Sequence, residues 1–358
     1  MNNKEVRTIA FYLPQFHPIP ENDDWWGKGF TEWTNVGRAK PLFRKHYQPR
    51  VPADLGYYDL RLSETRELQA QMAKDTGING FAYWHYWFAG KRLLEKPFQE
   101  VVKSKKPNFP FCLAWANTTW TGIWNNDHNR ILIKQTYPGV EDHKAHFYSM
   151  LEAFSDERYL KYDDRLIFLI YRPFELPNPK EFITLWNELA IQNGFKGFYF
   201  IGISNNPTAE FEKILEMGFD AMNPFRVKEA IISVSKTKYF FTSISRRLFS
   251  GKTLLTKYNY LDVINYLITS EDLDERVLPT LLPNWDTSPR SGTKALILYN
   301  SKPEFFERHL QEALKVIDNK KNKLLFLKSW NEWAEGNYVE PDLKYGTKYI
   351  DILRKNLG

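Results

Sequence analysis

The chain has 358 residues, a formal charge of +6 and 43% hydrophobic residues, enough apolar material to bury a large core without lipid. Charged residues at 26% argue against wholesale disorder, and no stretch approaches the ~20 apolar residues needed to cross a bilayer. The single cysteine, Cys112, excludes an intramolecular disulfide and a cysteine-rich metal cluster, and its apolar surroundings mark it as a buried structural thiol.

Strand-length apolar runs recur along the chain at Arg7–Leu13, Ile78–Trp87, Phe109–Asn117, Leu166–Arg172, Gly197–Ser204, Phe219–Pro224, Leu278–Trp285 and Leu324–Trp330. Their hydrophobicity is continuous rather than alternating, as in strands buried on both faces of a parallel sheet. Amphipathic segments fall between them at Ser63–Asp75, Glu141–Phe154, Pro179–Asn193, Thr208–Met217 and Pro303–Ile317, and a last one at Tyr345–Lys355 follows the final strand. This alternation predicts an α/β fold, a (β/α)₈ TIM-type barrel, with a doubly wound sheet as the alternative. One domain is expected over 1–358, with extended loops at about 14–62 and 226–277; the second contains the basic stretch Ser245-Arg246-Arg247.

The positive charge suits an anionic glycan, a nucleic acid or a membrane surface. No zinc-finger spacing, aromatic RNA-binding signature or long basic tract supports nucleic acid, so none is expected as a partner. Lys103–Lys106 and Asn319–Lys323 read as solvated loops. The first residues, Met1–Arg7, lack the apolar core of a signal peptide, which makes the cytoplasm the expected location.

Polar and aromatic residues cluster at the predicted strand ends, where barrel chemistry belongs. The first strand gives Tyr12 and His17, and the second gives Tyr83, His85 and Trp87. The third gives Trp115, Asn117 and Trp120, and the fourth gives Arg172. The seventh supplies Trp285, Asp286 and Arg290, and the eighth supplies Trp330, Asn331, Glu332, Trp333 and Glu335. Trp26, Glu32, Trp33 and His46 join them from the first long loop. For Trp26 and Trp33 the competing readings are sugar stacking and loop packing. The remainder are candidate substrate-binding residues, with Glu332 and Glu335 as the candidate catalytic pair.

Glu332 and Glu335 stand three apart, so one helical turn would set both on the same side. Acidic residues also gather at helix N-termini for dipole reasons alone. The strand-end setting beside Asn331, Trp330 and Trp333 favours chemistry, because glycosidic cleavage typically uses two carboxyl groups. His17 and His85 fit substrate hydrogen bonding or, with carboxylates, a metal; no close His-x-x-x-His pairing supports the metal, and no cofactor is expected. His143 and His146 are expected to be exposed.

Several long motifs make the chain recognisable. They include Ala10–Pro18, Trp25–Asn35, His46–Pro49, Asp54–Asp59, His85–Trp87, Phe168–Arg172, Trp285–Arg290 and Trp330–Gly336. Over residues from about 6 to 350 the sequence resembles the WbsX-type proteins, also described as glycoside hydrolase family 99-like domains, of bacterial polysaccharide and lipopolysaccharide gene clusters. The resemblance implies a (β/α)₈ barrel and, more distantly, similarity to family 99 endo-α-mannosidases and mannanases that cleave α-1,2-linked substrates with retention. It also implies that Glu335 is the general acid/base. Glu332 would then be the base that takes the sugar 2-hydroxyl proton, giving a 1,2-anhydro intermediate. Ala334 stands where those enzymes commonly have histidine, and Asn117–Trp120 has no glutamate where many relatives are expected to carry one. The reading is a retaining glycoside hydrolase acting on an oligosaccharide or polysaccharide. The alternatives are a glycosyltransferase of O-antigen, capsule or lipopolysaccharide assembly, and a noncatalytic glycan-binding barrel.

Overall fold

A computed structural model describes residues 6–122, 127–248 and 255–358, apart from the side chains of 127–129 and 245–248. The basic side chains at Ser245-Arg246-Arg247 and the N-terminal residues 1–5 lie outside this description.

Eight parallel strands form the centre: β1 (Arg7–Tyr12), β2 (Ile78–Phe88), β3 (Phe111–Trp115), β4 (Arg165–Ile170), β5 (Phe198–Ser204), β6 (Ala221–Pro224), β7 (Thr280–Leu281) and β8 (Leu324–Leu327). They hydrogen-bond in the order β6-β5-β4-β3-β2-β1-β8-β7. The remaining seam lies between β6 and the residues entering β7. There Met222 N donates to Arg276 O and Leu278 N donates to Met222 O, each at 2.8 Å. Asn223 Nδ2 adds bonds to Leu278 O at 2.9 Å and Thr280 Oγ1 at 2.8 Å. These contacts close the sheet into a (β/α)₈ barrel and exclude the doubly wound alternative. Closure leaves no exposed sheet edge at that seam.

Six of the strand-length runs match their elements within a few residues, but β7 and β8 are shorter than their apolar stretches. Pro279 and Pro283 bracket β7, and neither has an N–H to give a ladder. After Leu327 the chain leaves regular pairing, although Lys328 N still donates to Leu281 O and Trp330 N to Phe11 O.

Phe11, Trp84 and Phe326 pack inside the barrel, with Phe11 stacked on Trp84 at 5.0 Å and tilted against Phe326 at 5.6 Å. Alternate residues face the helices: Tyr83 meets Phe98 of helix Lys96–Ser104, and Trp115 meets Phe182 of helix Pro179–Gln192. The segment 226–277 carries helix Val227–Val234 and strand Thr256–Asn259, which pairs in parallel with Leu296–Tyr299 over a second apolar cluster around Tyr258 and Tyr260. Among the described residues no helix is long and apolar enough to cross a membrane.

The amide of Asn223 closes the barrel through two bonds made in the buried interior. Replacing Asn223 with Ala leaves Leu278 O and Thr280 Oγ1 without them, a loss of about 1–3 kcal/mol. Urea unfolding of Asn223→Ala should show that fall, and an unchanged midpoint would place closure elsewhere.

Candidate active site

At the C-terminal ends of the strands lies a cleft of about 560 Å³, where barrel sites are built. Seven of the residues singled out in the sequence line it: Trp26, Trp120, Arg172, Trp285, Arg290, Glu332 and Glu335. The helical turn expected at the end of β8 is a 3₁₀ turn, Trp333–Glu335, with Glu332 at its N-cap. It turns both carboxyl groups to the cleft.

The two glutamates sit in different surroundings. Glu332 Oε2 accepts from Ser329 Oγ at 2.7 Å and Asn337 Nδ2 at 3.0 Å, which fixes the rotamer. Glu335 Oε1 accepts from Arg290 Nη1 at 2.5 Å. Burial nevertheless dominates and raises the Glu335 carboxyl to about 7; Arg290 opposes the rise and the neighbouring Glu332 reinforces it. Arg290 also binds Glu32 Oε1 through Nη2 at 2.5 Å and Nε at 3.1 Å. Glu32 is fully buried on helix Glu32–Arg38, and burial raises its pKa despite the guanidinium. Glu32 therefore stands behind the cleft wall and holds Arg290 rather than bordering the cleft.

Other residues hold the strand ends together. Asn331 reads the backbone of Leu13, accepting from its N–H at 2.7 Å and donating to its carbonyl at 3.1 Å, and so ties β8 to β1. Asn117 does the same between β3 and β4, accepting from Arg172 N at 2.8 Å and donating to Arg172 O at 2.9 Å. Asp286 accepts from Gln48 Nε2 at 2.8 Å and Arg50 Nη2 at 3.2 Å. Because His46 Nδ1 accepts from Leu42 N, its Nε2–H donates to Asp286 at 2.9 Å. These partners hold the Asp286 carboxyl well below the usual carboxylate range against the effect of burial.

The remaining candidates lie away from the cleft. Tyr12 points to the helix layer, where its hydroxyl donates to Gln69 at 2.6 Å. Tyr83 packs against Tyr12 and Phe98. His85 pairs with His146 through Nε2 at 2.7 Å, and Trp87 stacks on the same His146 at 4.8 Å. Trp115 is buried beside them. Burial pushes His85 and His146 well below the ordinary histidine range. His143 and His146 are buried rather than exposed, because helix Val140–Ser149 turns this face to the barrel. His17 binds Pro14 O at 3.0 Å, and burial lowers its pKa to about 4. Trp33 donates to Tyr58 O at 2.8 Å and packs on Phe16 and Trp333, which answers its two readings in favour of loop packing. Trp330 is a core residue against Phe81. Trp333 stacks on Tyr338 at 3.7 Å and donates to Glu340 at 2.6 Å.

Gln15, Trp84, Tyr86, Tyr171, Phe225 and Lys328 line the cleft although sequence reading passed over them. For Trp84 and Tyr86 the missing information was strand parity, since they alternate with Tyr83, His85 and Trp87. Lys328 did leave a signal, as the one charged residue in the run Leu324–Trp330. Glu340 was also missed; it is buried, raised to about 7 chiefly by desolvation, and accepts from Trp333, Gln69 and Tyr58. Among the described residues no group of three or more His, Cys, Asp or Glu side chains is arranged to hold a metal ion.

A closed (β/α)₈ barrel with two carboxyl groups beside aromatic walls at the end of its eighth strand has the build of a glycan-active enzyme. The chain belongs to the family described as "Glycosyltransferase WbsX", whose model matches residues 8–353. It is 35% identical to the WxcX proteins of two Xanthomonas campestris pv. campestris strains over 364 aligned residues, covering 98% of this chain. The chain spans about half the length of these curated relatives, 49%. Its fold is similar to that of a GH99 endo-alpha-mannosidase from Bacteroides thetaiotaomicron, with a TM-score of 0.57 at 14% identity, covering 98% of this chain and 95% of that one. A structure described as a glycoside hydrolase-like protein matches equally, with a TM-score of 0.57 at 14% identity over 99% of this chain and 94% of that one.

Arg290 lowers the pKa of both Glu32 and Glu335, so removing it raises both. A buried carboxyl raised above its unfolded value of about 4.3 costs stability above that pH and nothing below it. Arg290→Met should therefore lose about 3–5 kcal/mol at pH 8, shrinking towards pH 4. Urea unfolding at the two pH values measures this, and carboxyl NMR should find Glu335 titrating above about 7. A deficit independent of pH would remove Arg290 from this electrostatic role.

Proposed function

We propose that this chain is the catalytic unit of a retaining enzyme that works at the anomeric carbon of a cell-surface glycan. Glu335 acts as general acid/base and Glu332 as the base for the sugar 2-hydroxyl. The observation that carries the reading is the contrast between the two carboxyl groups. Burial raises the Glu335 carboxyl to about 7, so it can hold a proton at neutral pH, whereas Glu332 is oriented by the hydrogen bonds it accepts from Ser329 and Asn337.

In the first step Glu335 gives its proton to the glycosidic oxygen as the C1–O bond breaks. Glu332 takes the 2-hydroxyl proton, and O2 closes on C1. In the second step an incoming hydroxyl attacks C1, Glu335 removes its proton, and O2 regains the proton from Glu332. Two displacements at C1 give net retention. Trp26, Trp120 and Trp285 supply apolar faces on which pyranose rings stack. If the incoming hydroxyl is water, the reaction is hydrolysis. If it belongs to a sugar, the reaction is glycosyl transfer, the second reading, which the family's description favours. Such transfer fits assembly of O-antigen, capsule or lipopolysaccharide.

Gln at either position should lower turnover by roughly 10²–10⁴-fold. A dinitrophenyl glycoside, whose leaving group needs no proton, should partly rescue Glu335→Gln and leave Glu332→Gln inactive. A 2-deoxy substrate should fail with the unaltered enzyme; normal retaining cleavage of it would make Glu332 a direct nucleophile.

The pH profile has a defined sign. Activity requires protonated Glu335, so kcat/KM should fall as the pH rises through about 7. In Glu335→Gln with the dinitrophenyl glycoside that alkaline limb should vanish. Its persistence would assign the proton to another group. Product analysis with a sugar acceptor distinguishes the two readings, since transfer yields the elongated glycan.

A further inference from the structure

Lys328 sits at the mouth of the barrel, just after β8 and one residue before the loop that carries the two glutamates. It is only 6% exposed, yet it lines the cleft. Four rings surround its ammonium: Phe225 at 4.7 Å, Trp84 at 5.4 Å, Phe11 at 5.6 Å and Tyr171 at 6.0 Å. The Nζ makes no hydrogen bond or ion pair among the described residues. An aromatic cage attracts a cation through its ring faces, but it does not neutralise the charge or use its three donors. A charge in so apolar a setting is ordinarily paired, and this ammonium opens on the cleft.

The cleft as a whole has the same imbalance. Arg172, Lys228, Arg290 and Lys328 line it against two carboxyl groups, Glu332 and Glu335. Arg290 is already committed to Glu32 and Glu335. Lys328 is therefore the buried cation left for a ligand, and its position at the cleft floor beside the glutamates fixes which part of the ligand it meets.

We propose that Lys328 is a specificity residue that binds an anionic substituent, a carboxylate or a phosphate, on the sugar seated over Glu332 and Glu335. The protein thereby selects an acidic glycan over its neutral counterpart. This inference names the substrate class of the same cleft and rests on the reading that the cleft binds glycan.

Binding is measured in Glu335→Gln, so that no turnover is needed, using tryptophan fluorescence and isothermal titration. The probes are methyl glucuronoside, glucose 6-phosphate and neutral methyl glucoside. At least one acidic probe should bind about tenfold or more tightly than the neutral one, as a charge-assisted bond in a partly buried site gives. The preference should weaken as salt rises from about 50 to about 500 mM. The carboxylate and phosphate probes show which anion the cage takes. Adding Lys328→Met should abolish the preference while keeping the fold, because the thioether fills the same cage, and Lys328→Arg should keep much of it. Equal binding of acidic and neutral probes, or a preference that survives Lys328→Met, overturns the proposal. So does a result in which Lys328→Met, made with Glu335 intact, moves only the titration of Glu335, because Lys328 would then act on the acid and not on the ligand. Acid selectivity lost in Lys328→Met, in a protein that cleaves no glycan, would uphold this inference and overturn the hydrolytic reading.

Discussion

One guanidinium shared between two carboxyl groups sets the geometry of the cleft. Glu32 comes from the loop after β1, Arg290 from the turn after β7, and Glu335 from the turn after β8, three neighbouring strand ends in the barrel. Burial alone would push both glutamates towards neutrality. The planar fork of Arg290 addresses both at once, which a lysine could not do in the same geometry. The arrangement leaves Glu335 near neutrality while holding it in place, and it joins the long first loop to the site.

Behind that contact lies a second set of polar bonds with no exposure to the cleft. Asp286 gathers His46, Gln48 and Arg50, and its own N–H donates to Glu335 O at 2.7 Å. Arg50 continues to Gly336 O at 2.8 Å. Tyr58, Gln69 and Trp333 converge on Glu340. Successive residues thus face opposite ways: Trp285 and Glu335 line the cleft, while Asp286 and Gly336 line a separate cavity of about 700 Å³. The segment after β1 is consequently part of the wall, with Trp26 reaching the cleft and Trp33 locked between Phe16 and Trp333.

Much of this was legible in the sequence. The buried runs marked the strands, and the spacing of Glu332 and Glu335 marked the turn that presents them. Side-chain direction was not legible in the same way. A strand buried on both faces has no polar face to fix its parity, and a shift of one residue exchanges interior for exterior. In Tyr83-Trp84-His85-Tyr86-Trp87 every residue is a plausible sugar contact by type, yet Trp84 and Tyr86 face the cleft while the other three face helices. Tyr12 fell on the wrong side for the same reason. Helix packing is equally hidden: nothing in the local pattern says that His146 meets His85 from a distant helix.

Parity also bears on the charge of the cleft. Thr118 and Thr119 line it where a glutamate was expected from the resemblance, and Ala334 is buried off its surface. Lys328, on the inward face, adds a cation beside the glutamates. The lack of a carboxylate at Thr118 and Thr119 and the presence of an ammonium at Lys328 act on the field in the same direction. Both favour ionisation of a carboxyl group nearby, and Lys328 does lower Glu335. The general acid of the proposed mechanism keeps its proton because desolvation outweighs both cations. Under that mechanism the aromatic walls therefore contribute twice, as platforms for the sugar and as the low-dielectric lining that sets the acid, so a wall tryptophan made small would change binding and proton affinity together.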